Sequence, residues 1–85
     1  MLSVHTSAYR ATIEQLVKAR KAANLTQEQV ARAWGSERSV ISKIETCERR
    51  IDLAEFVALA IVVKLDPVEV IRELHRQLSH IHSPA

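Results

Sequence analysis

LTQEQVARAWGSERSVISKIE, residues 25–45, is the stretch that decides the fold. At its centre stands Gly35, the only glycine in 85 residues, with a short amphipathic segment on either side. Glycine enters the left-handed region without the steric cost of a Cβ, so it suits a place where the chain leaves one helix and turns steeply into the next. The segment before it opens with Thr26 as helix cap and Gln29 three residues on, the spacing of a capping box. Leu25 and Val30 are spaced as a hydrophobic staple. Its inward residues are Val30, Ala31 and Trp34. The segment after it opens at Ser36 or Glu37, runs to about Thr46, and buries Val40, Ile41 and Ile44. Two such helices joined by a short glycine-bearing turn predict a helix-turn-helix.

The outer face of the second helix is the informative one. At about 100° per residue it centres near Ser39, Ser42 and Thr46, flanked by Arg38 and Lys43. Along the helix that face holds hydroxyls and cations, with no acid and no apolar side chain. A DNA major groove accepts such a surface.

Working outward, a first helix is expected from near Ser7 to about Ala23, with Tyr9, Ile13, Leu16, Val17 and Arg20 as its inward stripe. Asn24, which tolerates a left-handed stop, ends it. After residue 45 a polar connection leads to a second capping pattern, Asp52 with Glu55. The fourth helix, about Leu53 to Lys64, is apolar nearly all round, as a buried centre or an interface would be. Asp66-Pro67 opens the fifth with Glu69 closing a box, and it runs towards His80. Ile71, Leu74, Leu78 and Ile81 form a three-four-three seam, which suits either a partner helix or the chain's own first helix. The whole is expected to be a single all-α domain over 1–85, with its core at about 9–80 and ends 1–6 and 82–85 loose.

Composition narrows the class. With one Phe, one Trp and one Tyr, the core is aliphatic. A single cysteine, Cys47, excludes an intramolecular disulfide and fits a reducing cytoplasm. No signal peptide is seen, and the longest apolar run, Phe56 to Val63, is too short to cross a membrane. Residues 1–50 carry nine Lys/Arg and five Glu, a net of +4; residues 51–85 carry three against five, a net of −2. The basic half is the half that holds the motif, where a polyanion would sit. His75, His80 and His82 lack the helical spacing of metal ligands, so no metal and no cofactor is expected. No nucleophile with an orienting partner and no glycine-rich phosphate loop is present, which rules against an enzyme.

From about residue 9 to residue 75 the chain resembles the phage-repressor and Cro-like helix-turn-helix family, the lambda-repressor-like or XRE-type domains. The elements that carry the resemblance are Thr26-Gln27, Ala31, Gly35, Ile41, Ile44-Glu45 and the aliphatic helix from Leu53. The resemblance implies a compact five-helix fold that binds double-stranded DNA. It places Arg38, Ser39 and Lys43 at base edges, and Ser42, close by on the same face, is expected to read with them. It places Gln27 on a backbone phosphate beside Thr26, with Arg49 and Arg50 on the loop the backbone passes, and it pairs Arg20 with Glu45. The expected function is that of a repressor acting as a homodimer, through helices four and five, on a palindromic operator. The alternative is an interaction module, such as an antitoxin that binds a toxin and autoregulates its promoter. Two positions depart from the pattern. Cys47 stands where glycine is common, so a left-handed stop there costs strain or the loop differs. Glu37 stands where Ser or Thr is common; a carboxylate there can cap the helix, is repelled by phosphate, or accepts from a cytosine amino group.

Overall fold

The computed structural model describes residues 6–84; expectations for residues 1–5 and 85 lie outside the described residues. Among the described residues are five helices and no strand: α1 (Ser7–Ala22), α2 (Gln27–Trp34), α3 (Arg38–Glu45), α4 (Leu53–Val62) and α5 (Pro67–Gln77). Thr6, placed by sequence in the leading tail, is the N-cap of α1 and accepts from the Tyr9 N–H.

Local chemistry starts each helix. Thr26 and Gln29 close the expected capping box on α2, and Asp52 and Glu55 close the one on α4. On α5 the expectation is corrected. Asp66 Oδ1 accepts from the Val68 N–H at 2.9 Å, so there is no reciprocal bond from Glu69. Pro67 at the first helical position pre-sets the backbone there. α3 begins at Arg38, one or two residues later than expected, with Glu37 as its N-cap. α4 ends at Val62, and α5 stops at Gln77 rather than reaching His80.

Four helix ends share one device. Asn24 (φ 58°), Gly35 (φ 81°), Cys47 (φ 63°) and Lys64 (φ 60°) all take the left-handed conformation. At each, two successive N–H groups turn back onto the last helical turn, as in Cys47 to Ile44 and Glu48 to Lys43 at 3.0 and 2.8 Å. These bonds satisfy carbonyls that the helix leaves unpaired. Cys47 therefore makes the costly stop that its side chain disfavours. Of the four, only Gly35 is spared the Cβ penalty of on the order of 1–2 kcal/mol.

The core gathers Ile13, Leu16, Val30, Ala31, Ile41, Ile44, Cys47, Phe56, Leu59, Ala60, Val63 and Val70. Trp34 and Val40, expected inside, pack against it half-buried. Thr12, which the expected stripe omits, is buried and donates its hydroxyl to the Ala8 carbonyl. α2 packs on both α3 and α4, while α1 packs on α3 and α5. The small side chains Ala31 and Ala60 are among the most completely buried. No helix among the described residues is long and apolar enough to cross a membrane.

The expected seam on α5 divides. Leu74 and Leu78 are half-buried and Ile71 is exposed, while the core takes Val70, which the seam omits. Ile81 lies beyond the helix end and is exposed, so it is no part of a helical seam. Ile71, Leu74 and Leu78 line an open apolar groove of about 380 Å³ with Tyr9, Ile51, Leu53 and Phe56.

Candidate nucleic-acid interface

α3 is held from behind and left open in front. Its inner stripe, Ile41 and Ile44, is 2% exposed at each position and packs in the core. Burying two isoleucines contributes roughly 3–6 kcal/mol on transfer alone, enough to fix which face turns outward. Arg38, Ser39 and Lys43 are exposed and Ser42 is half-buried, so the four expected base-reading residues share the outer face. Among the described residues neither Arg38 nor Lys43 forms an ion pair. Their charges are uncommitted.

The face is not free of acid at its ends. Glu37 stands at its N-terminal edge. At the other edge Thr46 is the C-cap, and its hydroxyl donates within 2.7 Å of Glu48 Oε2. Thr46, read as central to the surface, is thus occupied by an intramolecular partner. Glu48 gave no signal in the helical period because it lies beyond the helix.

A three-way junction ties α1, α2 and α3 together. Arg20 Nε and Nη2 donate to Glu45 Oε2 and Oε1 at 2.6 and 3.0 Å, a bidentate pair. Arg20 Nη1 also donates to the Leu25 carbonyl at 2.9 Å. Only 12% of the Arg20 side chain and 13% of the Glu45 side chain is exposed, so solvent screens this pair less than a surface one. Gln27 Nε2 donates to Glu45 Oε1 at 2.9 Å. The pair Arg20–Glu45 follows from the family resemblance, whereas the link to Gln27 does not and had no local signal.

That junction aims the N-terminus of α2. Gln27 is half-buried and spends one amide hydrogen on Glu45, leaving the second to donate outward. The N–H groups of Gln27 and Glu28, in the first turn, have no intrahelical acceptor. Thr26 Oγ1 accepts from Gln29, so its own hydroxyl proton remains available. Together these make an anion-accepting corner with a fixed orientation.

The loop after α3 separates its two arginines. Arg49 donates to Glu55 at 2.9 and 3.3 Å and to the Arg50 carbonyl at 3.2 Å. The bond to Arg49 and the Asp52 N–H hold the Glu55 carboxyl below the usual carboxylate range, and Glu55 in turn holds the Arg49 guanidinium above its own. Arg49 therefore fastens the loop to the start of α4, while Arg50 is exposed and has no ion pair among the described residues. Tyr9 Oη accepts the Ile51 N–H at 3.2 Å and pins the same loop to α1. No cluster of three potential metal ligands occurs among the described residues.

A short helix packed across a second, exposed helix, with cations and hydroxyls outward and an anion-accepting helix end beside it, defines the helix-turn-helix class. Helix-turn-helix family HTH_3 matches residues 16–70. The chain is also similar in structure to an XRE-family like protein from Pseudomonas syringae pv. tomato str. DC3000, at 33% identity over 88% of this chain and 92% of that chain, with a TM-score of 0.80. No curated protein matches. The chain belongs to the XRE-type helix-turn-helix family, whose members are DNA-binding regulators.

Proposed function

We propose that this protein is a sequence-specific transcriptional regulator that binds a palindromic operator as a homodimer and represses by occluding a promoter in the cytoplasm. The observation that carries the reading is the uncommitted outer face of α3: Arg38, Ser39, Ser42 and Lys43 turned away from a core that fixes their direction. Arg38 pairs bidentately with a guanine, Lys43 reaches the same class of acceptor, and the serines accept either donor or acceptor edges. Thr26, Gln27 and Arg50 meet phosphates on the flanks, which positions α3 without reading sequence. Arg49 shapes the loop that presents Arg50, and it reaches phosphate only as far as its bond to Glu55 allows.

Two copies place their third helices in successive major grooves about 34 Å apart. Support for a dimer comes from the apolar groove edged by Ile71, Leu74 and Leu78 and from Ile81 beside it. Selection of bound sequences from a random duplex library tests the reading. An inverted repeat with half-sites one helical turn apart is expected; recovery of no sequence at moderate salt would contradict it.

A second reading has its own observation. Leu53, Val57 and Ile61 recur at four-residue spacing on α4 and are exposed, with Leu53 at 71% and Ile61 at 68%. An antitoxin that docks a toxin on this stripe while binding its own promoter would use it. A toxin gene beside this one, and co-purification of its product, would favour that reading.

A further inference from the structure

The recognition helix begins on a residue whose side chain does nothing inside the protein. Glu37 is the N-cap of α3, extended at φ −111° and ψ 153°, with no side-chain cap bond. Its carbonyl accepts the Val40 and Ile41 N–H groups, so the backbone alone starts the helix. The other carboxylates between residues 28 and 55 are all engaged. Glu28 pairs with Arg32, Glu45 with Arg20, Glu48 with Thr46, and Glu55 with Arg49, while Asp52 caps α4. Among the described residues Glu37 alone of this group has no partner, and it stands beside Arg38 at the end of α3 that enters a groove first.

We infer that Glu37 is a specificity-determining residue that accepts a hydrogen bond from a cytosine amino group next to the base read by Arg38. The inference rests on α3 being the DNA-reading helix. A carboxylate oxygen can only accept a hydrogen bond. In the major groove guanine offers acceptors at O6 and N7, and thymine offers an acceptor and a methyl group. Adenine pairs one donor with an adjacent acceptor. Cytosine presents its N4 donor alone, so it is the base a carboxylate prefers. The same charge is repelled by phosphate, so registers that press Glu37 against the backbone are disfavoured and the correct register stands out.

The test is library selection with the full chain as wild type, E37Q and E37A, each checked for unchanged helix content and thermal midpoint. Wild type is expected to select cytosine at one position of each half-site. E37Q shifts that position to adenine, whose N6 and N7 an amide pairs with, and E37A loses the preference by roughly tenfold. Other positions keep their bases. Cytosine retained in both variants, or a uniform rise in affinity with the preference unchanged, overturns the role of Glu37 and leaves the reading of α3 standing. A wild type that selects no site overturns both.

Discussion

The two ends of α3 are built on opposite terms. At its C-terminal end Glu45 is clamped by Arg20 and Gln27, Cys47 is buried in a left-handed stop, and Arg49 and Tyr9 fasten the loop that follows. At its N-terminal end Gly35 turns in open space, Glu37 caps without a side-chain bond, and Arg38 and Ser39 face solvent. One end spends its polar groups on the protein and the other leaves them facing solvent. A helix proposed to read DNA needs both. The fastened end sets the angle of approach, and the free end carries chemistry that pays no penalty for leaving an internal partner.

The largest effect is expected from breaking the fastened end. Glu45→Ala leaves Arg20, 12% exposed, without its carboxylate and frees Gln27. A loss of about 3 kcal/mol in urea unfolding is expected; a loss under about 1 kcal/mol would place the anchorage elsewhere. At the free end Gly35→Ala meets no atom within 4 Å, so only the backbone at φ 81° resists it. Thermal or urea unfolding should show a loss of about 1–2 kcal/mol, and a neutral result would mean the turn relaxes out of the left-handed region.

Cys47 sharpens the contrast, because there burial and backbone strain oppose each other. Cys47→Ala gives up the buried sulfur and keeps the strain, whereas Cys47→Gly gives up the sulfur and relieves it. The glycine variant is expected to be the more stable of the two by about 1 kcal/mol, although it is the smaller. The reverse order of melting temperatures would show that packing, and not the left-handed stop, governs this turn. The smallest effect concerns pH. Glu55 is held below the usual carboxylate range by Arg49 and then by the Asp52 N–H. Its stabilisation is present above about pH 4.3 and is lost as pH falls through the lowered folded value. In Arg49→Ala this acid-limb loss should shrink when stability is followed from pH 6 down to about 2, and an unchanged limb would mean the backbone bond alone sets it.

Much of the scaffold was legible in the sequence because it is specified locally. Thr26 with Gln29 and Asp52 with Glu55 name their own boxes, and Asn24 and Gly35 are residues whose chemistry suits a left-handed stop. Cys47 and Lys64 make the same stop with no such propensity, because the neighbouring packing over-determines it; local reading has no access to that term. Asp66 reads as a box residue, yet it bonds two residues on rather than three. Val70 was missed because α5 carries apolar residues in two helical phases, and the core takes the phase of Val70 instead of that of Ile71. In the candidate site, Arg38, Ser39, Ser42 and Lys43 followed from the helical period once Ile41 and Ile44 were placed inside. The bonds of Gln27 to Glu45 and Arg49 to Glu55 join residues 18 and six apart through the turns of the chain, where no period applies.

The central claim is that α3 reads bases while the end of α2 holds the backbone. Affinities of Arg38→Ala and Gln27→Ala for a selected operator and for scrambled DNA, at one fixed salt concentration, test it most directly. Arg38→Ala should lose about 1–3 kcal/mol of discrimination at one base pair, while Gln27→Ala should weaken both duplexes equally and keep the ratio. Discrimination in Arg38→Ala equal to wild type would contradict the account.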